Sequence, residues 1–114
     1  MRFFGLKTCD ACRKARKALE AAGRSPQVID VRADGVDPAD LQSIVAAFGD
    51  RAVNRSSATW RGLSEADRAL PVPELLALHP TVMKRPVIEA EGAWHLGWGK
   101  DVQAVLLGTA PPSA

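Results

Sequence analysis

Residues 2–31 limit the possible folds more than any other part of the chain. "RFFGL" at 2–6 is a short apolar run, and after a turn the apolar positions Cys12, Ala15, Ala18, Leu19 and Ala22 recur at helical spacing until Gly23 stops them. Pro26 then introduces "QVIDV" at 27–31, whose β-branched content predicts a second strand. Strand, helix and strand in so short a span predict two parallel strands joined by a right-handed crossover. A right-twisted strand feeding a right-handed helix packs back onto its own sheet in that hand.

The middle of the chain changes character. "DPADLQSIVAAFG" has Asp37 as a cap, Pro38 at the first helical position, a stripe of Leu41, Ile44, Val45 and Phe48, and Gly49 as a stop, which predicts a helix. "NRSSATWRGLSEADRAL" is polar with a short helix expected from Ser64, and "VPELLALHP" predicts another closed by Pro80. "RPVIEAEGAWHLGW" reads as a hairpin turning at Glu91-Gly92, and "GKDVQAVLLG" as a closing helix. The expected order is β-α-β, an all-helical insertion over about 38–80, then β-β-α, in a single domain spanning 1–114. The tail at 109–114, small, Pro-rich and polar, is expected to fray.

With 114 residues the chain is long enough to bury a core without disulfide staples. Its 46% hydrophobic and 25% charged residues exclude a disordered or fibrous class, and a net charge of +2 gives no reason to expect direct nucleic-acid binding. Neither a signal-peptide pattern nor an apolar stretch of spanning length is present, so the expectation is a cytoplasmic protein with no membrane partner. No nucleotide or flavin motif occurs: the glycines at 92, 97 and 99 lack a Walker lysine and a Rossmann context.

Cys9 and Cys12, the two cysteines of the chain, stand in "KTCDACRKARKAL". In a reducing compartment such a pair points to catalysis, redox sensing or metal binding rather than to a structural bridge. Cys9 falls where the first strand ends and the helix begins, so orphan helix N–H groups and the positive end of the dipole favour its thiolate. Lys7, Arg13, Lys14, Arg16 and Lys17 add positive charge, while the Asp10 carboxylate opposes it. Cys12, one turn on, is placed to attack a mixed disulfide formed at Cys9 and release the partner as a thiol. The alternatives are packing, since cysteine is a small hydrophobe and Cys12 lies on the apolar stripe, and for "RKARK" a simple solvated helix face. Zinc would need further ligands, and His79 and His95 lie too far apart in sequence for the usual spacing, so no metal is expected. Trp60 and Trp98 are compatible with either core or a groove beside Cys9.

"GLKTCDACRKARKALEAAG", "VIDVRADG", "NRSSATWRGL", "LLALHP" and "KRPVIEAEGAWHLGW" together resemble the ArsC/Spx family, the glutaredoxin-coupled arsenate reductase-like proteins, over residues 1–107. The nearest likeness is to the small YffB-type thiol reductases. The resemblance implies an α/β, thioredoxin-like fold with a mixed four-stranded sheet. It implies Cys9 as nucleophile, Arg55 and Arg85 as oxyanion-binding arginines, and Pro86 as a cis-proline facing the cysteine loop. Where arsenate reductases carry a third active-site arginine this chain reads Gly97-Trp98, which weakens any clamp on a multiply charged oxyanion. Cys12, usually lacking in those enzymes, is present here as in the Spx-type regulators.

The function so implied is a thiol-disulfide reductase working through a Cys9 mixed disulfide, with Cys12 or a second thiol as resolver. Lys7, Arg55 and Arg85 would hold the carboxylates of glutathione, a co-substrate rather than a bound cofactor, and a glutaredoxin-type protein would be a further thiol partner. The alternatives are an Spx-type redox regulator that binds RNA polymerase and, more weakly, an arsenate reductase in which Lys100 replaces the missing arginine. Lysine offers a point charge in place of a planar fork.

Overall fold

The computed structural model describes residues 1–107; the tail at 109–114 lies outside the described residues. The chain forms two compact units, Met1–Asp30 with the segment from Arg85 onward, and Val31–Lys84.

The first unit is the β-α-β and β-β-α framework. It contains β1 (Arg2–Gly5), α1 (Asp10–Ala21), β2 (Gln27–Asp30), β3 (Val87–Ala90), β4 (Ala93–Leu96) and α6 (Lys100–Leu107). The four strands make one mixed sheet in the order β2-β1-β3-β4. β1 pairs parallel to β2, with Phe3 opposite Val28, and antiparallel to β3, with Phe3 opposite Ile88. β3 turns back on β4 through Glu91-Gly92, both at positive φ (53° and 79°), the backbone that a two-residue hairpin demands.

Central β1 is buried on both faces, and its successive aromatics Phe3 and Phe4 are each 1% exposed. Phe3 and Ile88 join Cys12, Ala15 and Leu19 of α1 and Val102 and Leu106 of α6 in one core cluster. Burial of each large side chain there contributes about 1.5–3 kcal/mol. α1 closes as its sequence predicts: Gly23 at φ 82° lets its own N–H reach Glu20 O (3.0 Å) and the Arg24 N–H reach Leu19 O (2.9 Å).

The second unit holds the helices of the expected insertion: α2 (Pro38–Phe48), α3 (Ala58–Arg61), α4 (Glu65–Arg68) and α5 (Val72–Leu78). Asp37 caps α2 by accepting from the Ala39 N–H at 3.0 Å, with Pro38 in the first turn. Leu41 and Ile44 of α2 are buried with Leu75 and Leu76 of α5, and the two helices pack together. Two segments between helices are tied by the Val53–Met83 bridge and by N–H bonds from Asn54 to Val82 O (2.8 Å) and from Lys84 to Ala52 O (2.7 Å). Three short elements go beyond the sequence-based expectation: α3 and single 3-10 turns at Gly49–Ala52 and Pro80–Val82.

Candidate active site

The turn between β1 and α1 is set by backbone bonds that leave one sulfur at an open helix end. Cys9 is the N-cap residue of α1, in extended conformation (φ −88°, ψ 119°). Its N–H donates to Leu6 O at 3.2 Å, and its carbonyl accepts from the Arg13 N–H at 3.0 Å. The Lys7 N–H donates to Oδ2 of Asp30 at 3.3 Å, so a carboxylate at the end of β2 steadies the turn. Asp30 is 8% exposed, the one charged residue buried to that degree among the described residues.

The two thiols are driven apart in acidity. Burial works against the Cys9 thiolate but is outweighed by the Cys12 N–H and thiol and by the Arg85 guanidinium, so its pKa lies below the ordinary thiol value. The sulfur sits too loosely on the Cys12 N–H for a regular capping bond, yet that N–H still turns its positive end toward it. Cys12 is 2% exposed, and burial pushes its thiol up to about 11. The Leu6 N–H opposes that rise, the neighbouring Cys9 adds to it, and Arg85 opposes it. Of the two thiols, Cys9 is thus the more readily ionised, and Cys12 is held toward its protonated form.

Room for the Cys12 sulfur comes from a missing side chain. A Cβ on Gly5 would stand 2.8 Å from Cys12 Sγ and 3.0 Å from Phe3 Cε1. Behind Arg85 the peptide bond to Pro86 is cis, as the resemblance implies, and the Pro86 carbonyl accepts from the Gly97 N–H at 2.8 Å. Trp98 and Cys9, both half-buried, pack against the same core cluster.

The first unit therefore brings Cys9, Cys12 and Arg85 together, with Pro86 directly following. Lys7 is exposed and joins the site through its backbone. Arg55 lies in the second unit, where its guanidinium grips Asp50 with both terminal nitrogens (3.0 and 2.6 Å) and stacks on Trp60 at 5.2 Å; Arg68 stacks on that ring at 5.5 Å. Trp60 is thus engaged by two arginines within that unit. The charge acting on Cys9 is corrected too: Arg85 supplies it, while Asp10 is ion-paired to Arg13 and Arg16 reaches Glu20 at 3.8 Å. Sequence reading missed Asp30 and Gly5, whose one visible signal was an acidic residue inside the β-branched run at 27–31. Among the described residues no group of three or more His, Cys, Asp or Glu could hold a metal ion, and no helix is long and apolar enough to cross a membrane.

A C-x-x-C pair at the mouth of the first helix, a cis-proline before β3 and this mixed sheet define a thioredoxin-like thiol protein. Residues 4–104 match the model of the ArsC family, and the chain belongs to that family. It is 36% identical over 110 residues to an uncharacterized protein of Haemophilus influenzae, covering 90% of this chain and 96% of that one. Among solved structures it is similar to a protein described as YFFB (PA3664), with a TM-score of 0.84 at 34% identity, covering 92% and 96% of the two chains. An ArsC-related protein from Brucella melitensis matches with a TM-score of 0.69 at 28% identity, covering 92% and 93%. An arsenate reductase from Vibrio cholerae shares the fold, with a TM-score of 0.73 at 20% identity over 92% and 93%. The assignment to the YffB-type part of the family follows, and this arsenate reductase-like fold supports thiol reductase-type chemistry.

Proposed function

We propose that the protein is a glutathione-linked thiol-disulfide reductase. The reading is supported by one observation above all: a half-exposed Cys9 sulfur at a helix N-cap, facing both the Cys12 thiol and the Arg85 guanidinium. The Cys9 thiolate attacks one sulfur of a disulfide, the old S–S bond breaks, and the other sulfur leaves as a thiolate. The Cys12 sulfur, on losing its proton, attacks Cys9 in that mixed disulfide, expels the bound thiol and leaves a Cys9–Cys12 disulfide. Two electrons have passed from the protein to the substrate, and glutathione or a glutaredoxin-type thiol protein restores the dithiol. Arg85, Arg55 and Lys7 are the cations proposed to hold carboxylates, and Pro86 the residue proposed to line the cysteine loop.

The test is intact mass and rate with oxidised glutathione across pH, for the wild type, Cys9→Ser and Cys12→Ser. Cys9→Ser is expected to be inert, and Cys12→Ser to accumulate the glutathione adduct at Cys9. If both thiols react slowly and alike, as unperturbed cysteines do, the mechanism fails.

A further inference from the structure

Two stretches of this chain, residues 7–20 and 51–61, each carry a positive excess of three, and in the second Arg55 is held by Asp50. Residues 7–20 carry Lys7, Arg13, Lys14, Arg16 and Lys17 against Asp10 and Glu20, an excess of three, while the whole chain is +2, so everything outside that stretch is net negative by one. The helix sorts these charges. Cys12, Ala15 and Leu19 face the core, and Asp10, Arg13, Lys14 and Lys17, at spacing i, i+3, i+4 and i+7, form a stripe on the opposite side. The same four residues line a shallow depression of about 250 Å³, which starts one residue beyond Cys9.

The anions of the stretch are already engaged, Asp10 by Arg13 and Glu20 by Arg16. Among the described residues no ion pair occupies Lys14 or Lys17, so two full cations remain along the stripe for a ligand. A solvated helix face is normally mixed in sign, because like charges one turn apart repel. A stripe left this positive beside a nucleophile attracts negative charge to that nucleophile.

We propose that the α1 stripe seats an acidic polypeptide segment of the protein disulfide that Cys9 reduces. The inference rests on the reductase reading above and adds the class of substrate. Span favours a polypeptide over glutathione. From Cys9 to Lys17 is eight residues of helix, about 12 Å at 1.5 Å each. An extended segment of about four residues covers that length, whereas each arm of a tripeptide centred on its cysteine is a single residue. Cys9 attacks the segment's cysteine sulfur and the old disulfide partner leaves as a thiol; Cys12 then frees the segment, also as a thiol. Glutamates or aspartates following that cysteine along α1 meet Lys14 and Lys17.

The experiment uses two synthetic peptides of equal length, each with one cysteine blocked as a 2-pyridyl disulfide, one flanked by glutamates and the other by glutamines. Release of 2-thiopyridone reports attack by Cys9, and the uncharged 2-hydroxyethyl 2-pyridyl disulfide serves as the reference. At low salt the wild type is expected to react at least about tenfold faster with the acidic peptide than with the neutral one, the scale of electrostatic steering. At about 1 M salt, where the Debye length is about 3 Å, the preference should vanish. Lys14→Glu/Lys17→Glu should abolish or invert the preference, and Lys14→Gln/Lys17→Gln should reduce it, both keeping the wild-type rate with the reference disulfide to within about threefold. Equal rates for the two peptides, or a preference that survives the charge reversal, overturn the docking surface while leaving the reductase reading intact if the reference disulfide still reacts at Cys9. A reference disulfide that reacts no faster than with an unperturbed thiol removes the reductase reading, and this inference with it.

Discussion

Gly5→Ala is the substitution whose effect the geometry specifies best. The new Cβ would lie 2.8 Å from Cys12 Sγ, 3.0 Å from Phe3 Cε1 and 3.3 Å from Cys12 Cβ. The first of these is about 0.7 Å or more inside the 3.5–4.0 Å optimum even for carbon pairs. Phe3 is 1% exposed and Cys12 2%, so neither has open space to retreat into, and overpacking of this kind costs about 1–3 kcal/mol. Urea unfolding followed by circular dichroism should show a lower midpoint at an unchanged m-value. The specific claim is that the larger part of the cost comes through one sulfur, so Cys12→Ala should relieve that part and leave the Phe3 contact. In the cycle of Gly5→Ala, Cys12→Ala and the double variant, the coupling should be about 1 kcal/mol or more in the relieving direction. Additivity within about 0.3 kcal/mol would refute the steric account, as would a Gly5→Ala protein as stable as the wild type.

Four further outcomes follow from the site. Arg85→Ala removes a donor and a cation from Cys9, so the Cys9 pKa should rise and alkylation by iodoacetamide at pH 7 should slow about tenfold, as expected for loss of a charge-assisted hydrogen bond. The raised pKa of Cys12 favours its neutral form in the folded state, so stability should fall as pH climbs from the ordinary thiol range toward about 11; melting curves of Cys12→Ala should lose that part of the decline. Asp30→Ala removes the acceptor for the Lys7 N–H and should cost about 1–2 kcal/mol with slower Cys9 alkylation, while Asp30→Asn, which keeps an acceptor oxygen, should cost less; equal losses in the two would sink this role. Asp50→Asn loosens the two-point grip on Arg55, and if that arginine serves a carboxylate the KM for oxidised glutathione should fall several-fold, an effect that Arg55→Ala must abolish.

How much of this could be read from sequence depended on range and length. The β-α-β start was legible because α1 repeats its apolar period three times and both strands are bounded by turn residues. α3 was not, since four residues are too few to show a period and its start is set by one hydroxyl, Ser57 Oγ accepting from the Trp60 N–H at 3.1 Å. At the site, Cys9 and Cys12 are spelled in a local motif. Nothing near Arg85 says that it meets a cysteine seventy-six positions earlier in the chain, and only family resemblance pointed to it. The same resemblance pointed to Arg55 without showing that Asp50 and Trp60 already engage it. Gly5 looked like any glycine at a strand end, because a need for empty space leaves no mark on composition.

The dependence of Cys9 on Arg85 has a consequence for how the protein is made. Synthesis delivers the cysteines first, while the guanidinium that helps hold Cys9 as a thiolate comes from a segment produced late and added to the sheet as β3 pairs with β1. A nascent or unfolded chain therefore carries two thiols of ordinary acidity, and their acidities diverge as the far end of the framework docks. The acidity of Cys9 is thus coupled to maturation, because the guanidinium that helps lower its pKa arrives only with the last part of the sheet.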